Sequence, residues 1–219
     1  MTLPRPKAVL FDWDDTIVDN WHTAFAAINT TLEHMGHAPW SVEECRRRSG
    51  PSARDLFTQL FGEDRWQEAD RVYYATFLDL VMKNAATHDG ALDVLNMLSR
   101  NGVVMGVVSN KRNPLLKQEI ENIGLGHYFP VVIAAGEASA DKPDPAPILL
   151  ALEQSAVTPG PDVWYIGDSH TDMMSARRAG CSAVLIETKT PPEDLMRDHP
   201  PHARFKGHAE ILAAVSGLF

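Results

Sequence analysis

The stretch Lys7–Asp19, KAVLFDWDDTIVD, limits the possible folds more than any other part of the chain. Ala8, Val9, Leu10 and Phe11 form a short run with no polar residue, the pattern of a strand buried on both faces of a parallel sheet. Asp12, Asp14 and Asp15 follow at once. Carboxylates crowded this closely repel one another, so a folded chain keeps them together where a cation, a proton or solvent relieves the repulsion. A divalent metal at the carboxyl end of a strand does so, and in an open α/β sheet that end is where ligands bind. The competing reading is a solvated acidic turn, and the rest of the chain has to decide between them.

Beyond Asp19 the periodicity changes. Trp21, Phe25, Ile28, Leu32 and Met35 recur at spacings of three and four and predict a helix closed by Gly36. Ser41 and Glu44 have capping-box spacing at the head of a short helix. A basic stretch broken by Gly50 and Pro51 leads to helices over 53–61 and 64–84. Residues 19–85 therefore read as an all-helical block inserted into a core made of residues 1–18 and 86–219. In that core apolar runs at 103–108, 131–134, 163–166 and 183–186 predict further strands, most of them followed by a helical segment. Strand–helix alternation of this kind implies an α/β fold with right-handed crossovers and a parallel sheet. The tail, with Pro191, Pro192, Pro200 and Pro201, reads mostly as loop before a last helix near His208–Val215.

Charge narrows the partners. A net charge of −9 over 219 residues argues against broad binding to nucleic acid or an anionic membrane, both of which need a basic surface. Cys45 and Cys181 are too far apart in sequence to suggest a disulfide framework, and a reducing cytoplasm is the simplest expectation. The first residues lack the apolar core of a signal peptide, and no run approaches the roughly 18 apolar residues of a membrane helix.

Polar clusters stand at the ends of four predicted strands or in the loops after them: Asp12/Asp14, Ser109/Asn110, Lys142 and Asp168/Asp172. A parallel sheet sets those ends side by side, so residues distant in sequence converge on one pocket. The inventory suits phosphoryl transfer. Asp12 is placed to attack phosphorus and form an aspartyl-phosphate. Asp14, two residues on, points the same way along an extended segment and can act as general acid, then as general base. Mg²⁺ needs hard oxygen ligands, for which Asp12 and Asp168 are the best candidates, with the backbone carbonyl of Asp14 and a supporting Asp172. Ser109 offers a hydroxyl, Asn110 a backbone amide and Lys142 a positive charge to the phosphoryl oxygens. In isolation Ser109 and Asn110 also fit a helix cap, Lys142 a solvated lysine, and Arg46–Arg48 a solvated face. Arg54, at a loop-to-helix junction after Gly50, is expected to face a substrate.

In order and spacing these motifs resemble the haloacid dehalogenase superfamily over nearly the whole chain, in particular its phosphoglycolate phosphatase-like members with a helical cap. The first motif is matched by Asp12, Asp14 and Thr16, the second by Ser109, the third by Lys142 and the fourth by Gly167, Asp168 and Asp172. The resemblance implies an α/β Rossmann-like parallel-sheet core with an inserted α-helical cap at residues 19–85. It further implies Asp12 as nucleophile, Asp14 as acid/base, Thr16 as a substrate-binding residue, and Mg²⁺ as cofactor. A small phosphorylated metabolite is the implied substrate, for a monomer or homodimer. One position departs from the pattern: Asp15 stands where the family commonly has glycine. Dehalogenase chemistry is disfavoured by Asp14, and phosphonate hydrolysis by Lys83 being the only cap lysine. A sugar phosphomutase of the same superfamily remains the alternative. A catalytically silent binding module is disfavoured because every reactive side chain is present.

Overall fold

A strand with no polar face belongs in the middle of a sheet, and β1 (Ala8–Phe11) lies there with every residue buried. The computed structural model describes residues 3–84, 86–188 and 196–219, and the side chains of 81–84, Lys83 among them, lie outside the described residues, as do Pro191 and Pro192. β1 pairs in parallel with β2 (Val104–Arg112) on one side and β4 (Val163–Gly167) on the other, Phe11 standing opposite both Val107 and Ile166. Outward from these lie β3 (Val131–Ala135), and on the other side β5 (Ser182–Ile186) and β6 (Ala203–Phe205). The order is β3-β2-β1-β4-β5-β6, all parallel.

Alternation along each strand sends neighbouring side chains to opposite faces and so builds two cores. Val9, Phe11, Met105, Val107, Trp164 and Ile166 pack with α5 (Ala91–Arg100), α6 (Leu115–Asn122) and α9 (His208–Ser216). Ala8, Leu10, Val108, Val163 and Tyr165 pack with α7 (Ala146–Gln154) and α8 (His170–Arg178).

Between β1 and α5 come α1 (Trp21–His34), α2 (Val42–Arg48), α3 (Ala53–Phe61) and α4 (Trp66–Asn84). This block has its own core, in which Ile28, Leu32, Met35, Cys45, Phe57 and Ala69 meet the rings of Trp21, Trp40, Trp66 and Tyr73. Its helices start where the chain supplies caps: the Ser41 hydroxyl accepts from Glu44 N and that of Ser52 from Asp55 N. Two crossing segments join block to sheet, with Asp19 N donating to Ala86 O and His88 N to Ile17 O, both at 2.9 Å. A second seam runs along α4. There Arg112 pairs with Asp70, and Phe77 packs against Leu115.

Three features differ from expectation. β2 continues through Ser109, Asn110 and Lys111 to Arg112, with a register irregularity after Val108. β6 forms in a tail read as loop, because an edge strand of three residues is too short to show a period. Asp15, with φ of 57°, occupies the left-handed region, which explains why glycine suits this turn and why an aspartate, tolerant of that region, can replace it. Among the described residues no helix is long and apolar enough to cross a membrane.

Candidate active site

At the carboxyl edge of the sheet the backbone of Asp12 continues the pairing of β1 by donating to Ile166 O at 2.9 Å, which places its side chain at the strand's end. The ammonium of Lys142, from the loop after β3, reaches it there. Its Nζ donates to Asp12 Oδ1 at 2.8 Å, Asp172 Oδ1 at 2.7 Å and the Tyr165 hydroxyl at 2.8 Å. Those three bonds use all its protons. Burial works against the charged ammonium, and the Asp12 and Asp172 carboxylates overcome it, holding the lysine well above its usual range. For Asp12 burial lifts the carboxyl, Lys142 draws it back, and Asp172 and Asp14 push it up again, to about 6. Asp172 is also buried, but Lys142 and Ser169 outweigh that and hold it below the usual range.

Asp172 is fixed by the start of α8. Ser169 and Asp172 form a capping box in which Asp172 Oδ2 accepts from Ser169 N at 3.0 Å and from Ser169 Oγ at 2.5 Å. The carboxylate lies so close under the end of β4 that a Cβ on Gly167 would stand 2.4 Å from Asp172 Cγ. Glycine at 167 is therefore required by the side chain five residues on.

Asp14 faces a different partner. Its Oδ1 accepts from Lys111 Nζ at 2.6 Å and from Asn20 Nδ2 at 2.8 Å. Lys111 Nζ also donates to both oxygens of Glu119, at 2.9 and 2.7 Å, and Trp13 Nε1 donates to Glu119 Oε2 at 2.9 Å. The ring of Phe77 covers this ammonium, 4.5 Å from it. Burial disfavours the Lys111 charge, but Asp14 and Glu119 raise its pKa all the same. Burial, with Asp14 beside it, keeps the Glu119 carboxyl above its ordinary range despite Lys111.

Ser109, buried, accepts from Lys111 N at 3.2 Å and lines the site. The side-chain amide of Asn110 donates to Gly50 O at 2.8 Å and Lys142 O at 2.9 Å and accepts from Lys142 N at 3.0 Å. It thereby ties the helical block to the carboxyl edge of the sheet. Gly50, with φ of 121°, passes so near α8 that a Cβ would lie 2.7 Å from Thr171 Oγ1. Between block and edge is a cavity of about 170 Å³, lined below by Asp12, Asp14, Ser109, Asn110, Lys142 and Asp168.

The structure thus brings six of the expected residues to one cavity, with Asp172 behind them. Two expected substrate contacts are not in its lining. Arg54 lies on the exposed face of α3 with its guanidinium 5.5 Å from the centre of the Trp66 ring, because Ala53, Leu56 and Phe57 take the inward face. Thr16 is wholly buried in the turn after β1. Arg48 is exposed, as read, and also reaches the cavity wall, paired with Glu44 at 3.2 Å and 4.9 Å over the Trp40 ring.

Sequence reasoning missed Tyr165, Lys111 and Glu119. Tyr165 had a signal, since a phenol in the apolar run VWYI needs a partner, and its hydroxyl donates to Val108 O at 2.7 Å. Glu119 had one too, because it shares the buried stripe Leu115, Leu116, Ile120 of α6.

Asp12, Asp168 and Asp172 each bring a carboxylate oxygen within 4.8 Å of the others, all buried. With one lysine against three carboxylates, this set of hard oxygens suits a hard divalent cation such as Mg²⁺. Asp14 is the residue whose backbone carbonyl is the expected ligand; its carboxylate is turned to Lys111 and is not in that group.

Known proteins resemble this chain in sequence and fold. A family model described as haloacid dehalogenase-like hydrolase matches residues 9–186. Phosphoglycolate phosphatase 1 of Pseudomonas aeruginosa is 30% identical over 192 residues, covering 82% of this chain and 69% of that protein. A putative pyrophosphatase, PpaX, of Caldanaerobacter subterraneus subsp. tengcongensis is 29% identical over 214 residues, 96% of this chain and 94% of its own. Among solved structures, a putative haloacid dehalogenase-like hydrolase from Bacteroides fragilis superposes with a TM-score of 0.86 at 22% identity, over 94% of this chain and 100% of that one.

Proposed function

Because this chain belongs to the haloacid dehalogenase-like hydrolases and is a phosphatase, we propose that it hydrolyses a small phosphate monoester through an aspartyl-phosphate on Asp12. The observation that carries the proposal is the pairing of Asp12 with Lys142 at 2.8 Å on the floor of a cavity that Asp14 also lines. An Asp12 oxygen attacks phosphorus while the ester oxygen departs with a proton from Asp14. Asp14, then ionised, takes a proton from water as the water attacks the same phosphorus, releasing phosphate and restoring Asp12. Lys142 presents positive charge, and the Ser109 hydroxyl and Asn110 backbone amide present donors, to the phosphoryl oxygens. A divalent metal, Mg²⁺ in this reading, held by Asp12 and Asp168 with Asp172 in support, would neutralise phosphate charge when bound.

Lys111 has a part in this scheme as a positioning residue. Its 2.6 Å bond holds the Asp14 carboxylate in one orientation at the edge of the cavity. Residues 19–85 would serve as the cap, shutting out bulk water during the first step. Two buried free cysteines fit a reducing cytoplasm. The names of the relatives make phosphoglycolate the first compound to try. The test is phosphate release from a panel of small monoesters with Mg²⁺, with excess chelator and with Asp12→Asn. Release that persists undiminished in chelator or in the variant would remove the metal or Asp12 from the mechanism.

A further inference from the structure

We propose that the alcohol released by this enzyme is apolar and carries a ring, in contrast to a small hydroxy acid; this rests on the phosphatase reading above and specifies its leaving group. Opposite the carboxylates, the cavity wall is made by Ile28, Trp40, Leu56, Phe57, Tyr73 and Phe77, drawn from three helices and a loop of the block. That wall is where the group attached to the phosphate has to lie, since Asp12, Lys142 and Asp168 occupy the floor.

A second anionic group, whether a carboxylate or another phosphate, needs a further cation on the wall side, since Lys142 already serves the phosphoryl group. Lys142 is held between Asp12 and Asp172, and Lys111 between Asp14 and Glu119. Arg48, the remaining cation of the lining, is paired with Glu44 and lies over Trp40. An anion against the aromatic wall would lose its water without recovering equivalent bonds. An apolar ring gains from the same surface, by burial and by edge or stacked contacts with the aromatic side chains. A sugar phosphate, with a hydroxyl on nearly every carbon, finds few polar partners on that wall, which weighs against the phosphomutase alternative.

The experiment uses the full chain with Mg²⁺ and compares kcat/KM for 2-phenylethyl phosphate with that for phosphoglycolate and glycerol 3-phosphate. All three release alkyl alcohols, so the chemical step itself discriminates little. The expected preference for the phenylethyl ester is at least about tenfold, in the range that apolar pocket contacts give. Leu56→Asn should reduce that preference by about tenfold, while Leu56→Met should retain it. A wild-type preference below about tenfold, or one for phosphoglycolate, overturns the proposal whether or not the variants fold. Absence of phosphate release from every ester, 4-nitrophenyl phosphate included, is a separate failure. It would overturn the phosphatase mechanism and this proposal together.

Discussion

The sheet edge and the helical block meet across one cavity, and they are made of different material. Below, Asp12, Asp14, Lys111 and Lys142 are locked into ion pairs of 2.6–2.8 Å. Above, the wall is aromatic and aliphatic, and its one arginine is engaged within the block itself. Fixed charges at the end of rigid strands serve a step that is the same for every phosphate ester. A wall that is mostly apolar sorts substrates chiefly by shape and apolar area. On the proposed mechanism the difference assigns chemistry and selection to separate parts of this molecule, and changes in each should produce different patterns of loss.

The strongest challenge is Asp12→Asn. Turnover should fall by at least about 10³-fold on every substrate alike, since an amide is a poor nucleophile of the same shape. Stability should move the other way. The folded Asp12 carboxyl titrates near 6 against an ordinary 3.8, so between those values the folded chain holds a proton that the unfolded chain has released. Metal-free stability therefore declines as pH rises through that window, by up to about 3 kcal/mol at about 1.36 kcal/mol per unit. In the variant this slope should vanish and the neutral-pH melting point in chelator should rise. A loss confined to some substrates would break the division between floor and wall.

Lys111→Met tests the positioning half of the floor. Removing the shared ammonium leaves Asp14 held by Asn20 alone and the buried Glu119 without its cation, a loss of about 3 kcal/mol in urea unfolding. We expect kcat to drop by about 10²-fold with KM little changed and the acid/base limb of the pH–rate profile displaced. Adding Glu119→Gln should recover stability but not rate. Recovery of both would mean that Lys111 acts only on the fold.

Gly50→Ala examines the seam between the two regions. The new methyl meets Thr171 Oγ1 at 2.7 Å and the backbone stands at φ of 121°, so the loop has to lift. A rise of about tenfold in KM, partly reversed by Thr171→Ala, is the expected coupling for residues in contact. Smallest is Asp15→Gly, which relieves a left-handed aspartate and should stabilise by about 1 kcal/mol, or about 2–4 °C in Tm, with kcat nearly unchanged.

What the sequence disclosed follows from the range of its signals. β1 and the carboxylates after it are legible because strand, strand end and motif lie within a dozen residues. The requirement for Gly167 is equally local, five positions from Asp172. Lys111 and Asp14 are 97 positions apart, and nothing in either neighbourhood announces the pair. Arg54 was open to a better reading. The stripe Ala53, Leu56, Phe57, Leu60 turns one face of α3 inward and sends residue 54 to the other. β6 could not be read, because its pairing with β5 depends on a partner and not on its own three residues.

The amide of Asn110 sets how the two regions part. Two of its bonds, to Lys142 N and Lys142 O, stay within the sheet edge, and only the third reaches the block, at Gly50 O. Along α4 the attachment is broader, with Arg112 on Asp70 and the Phe77 ring against Leu115 and the Lys111 ammonium. If the block moves as a cap, as proposed above, it would hang along α4 and be latched at Gly50. A single neutral hydrogen bond is worth about 1 kcal/mol net, and water replaces it when the latch opens. That weights the latch by only about fivefold in population. Opening at Gly50 would leave both bonds of Asn110 to Lys142 in place, so a departing product would leave the charged floor already set for the next ester.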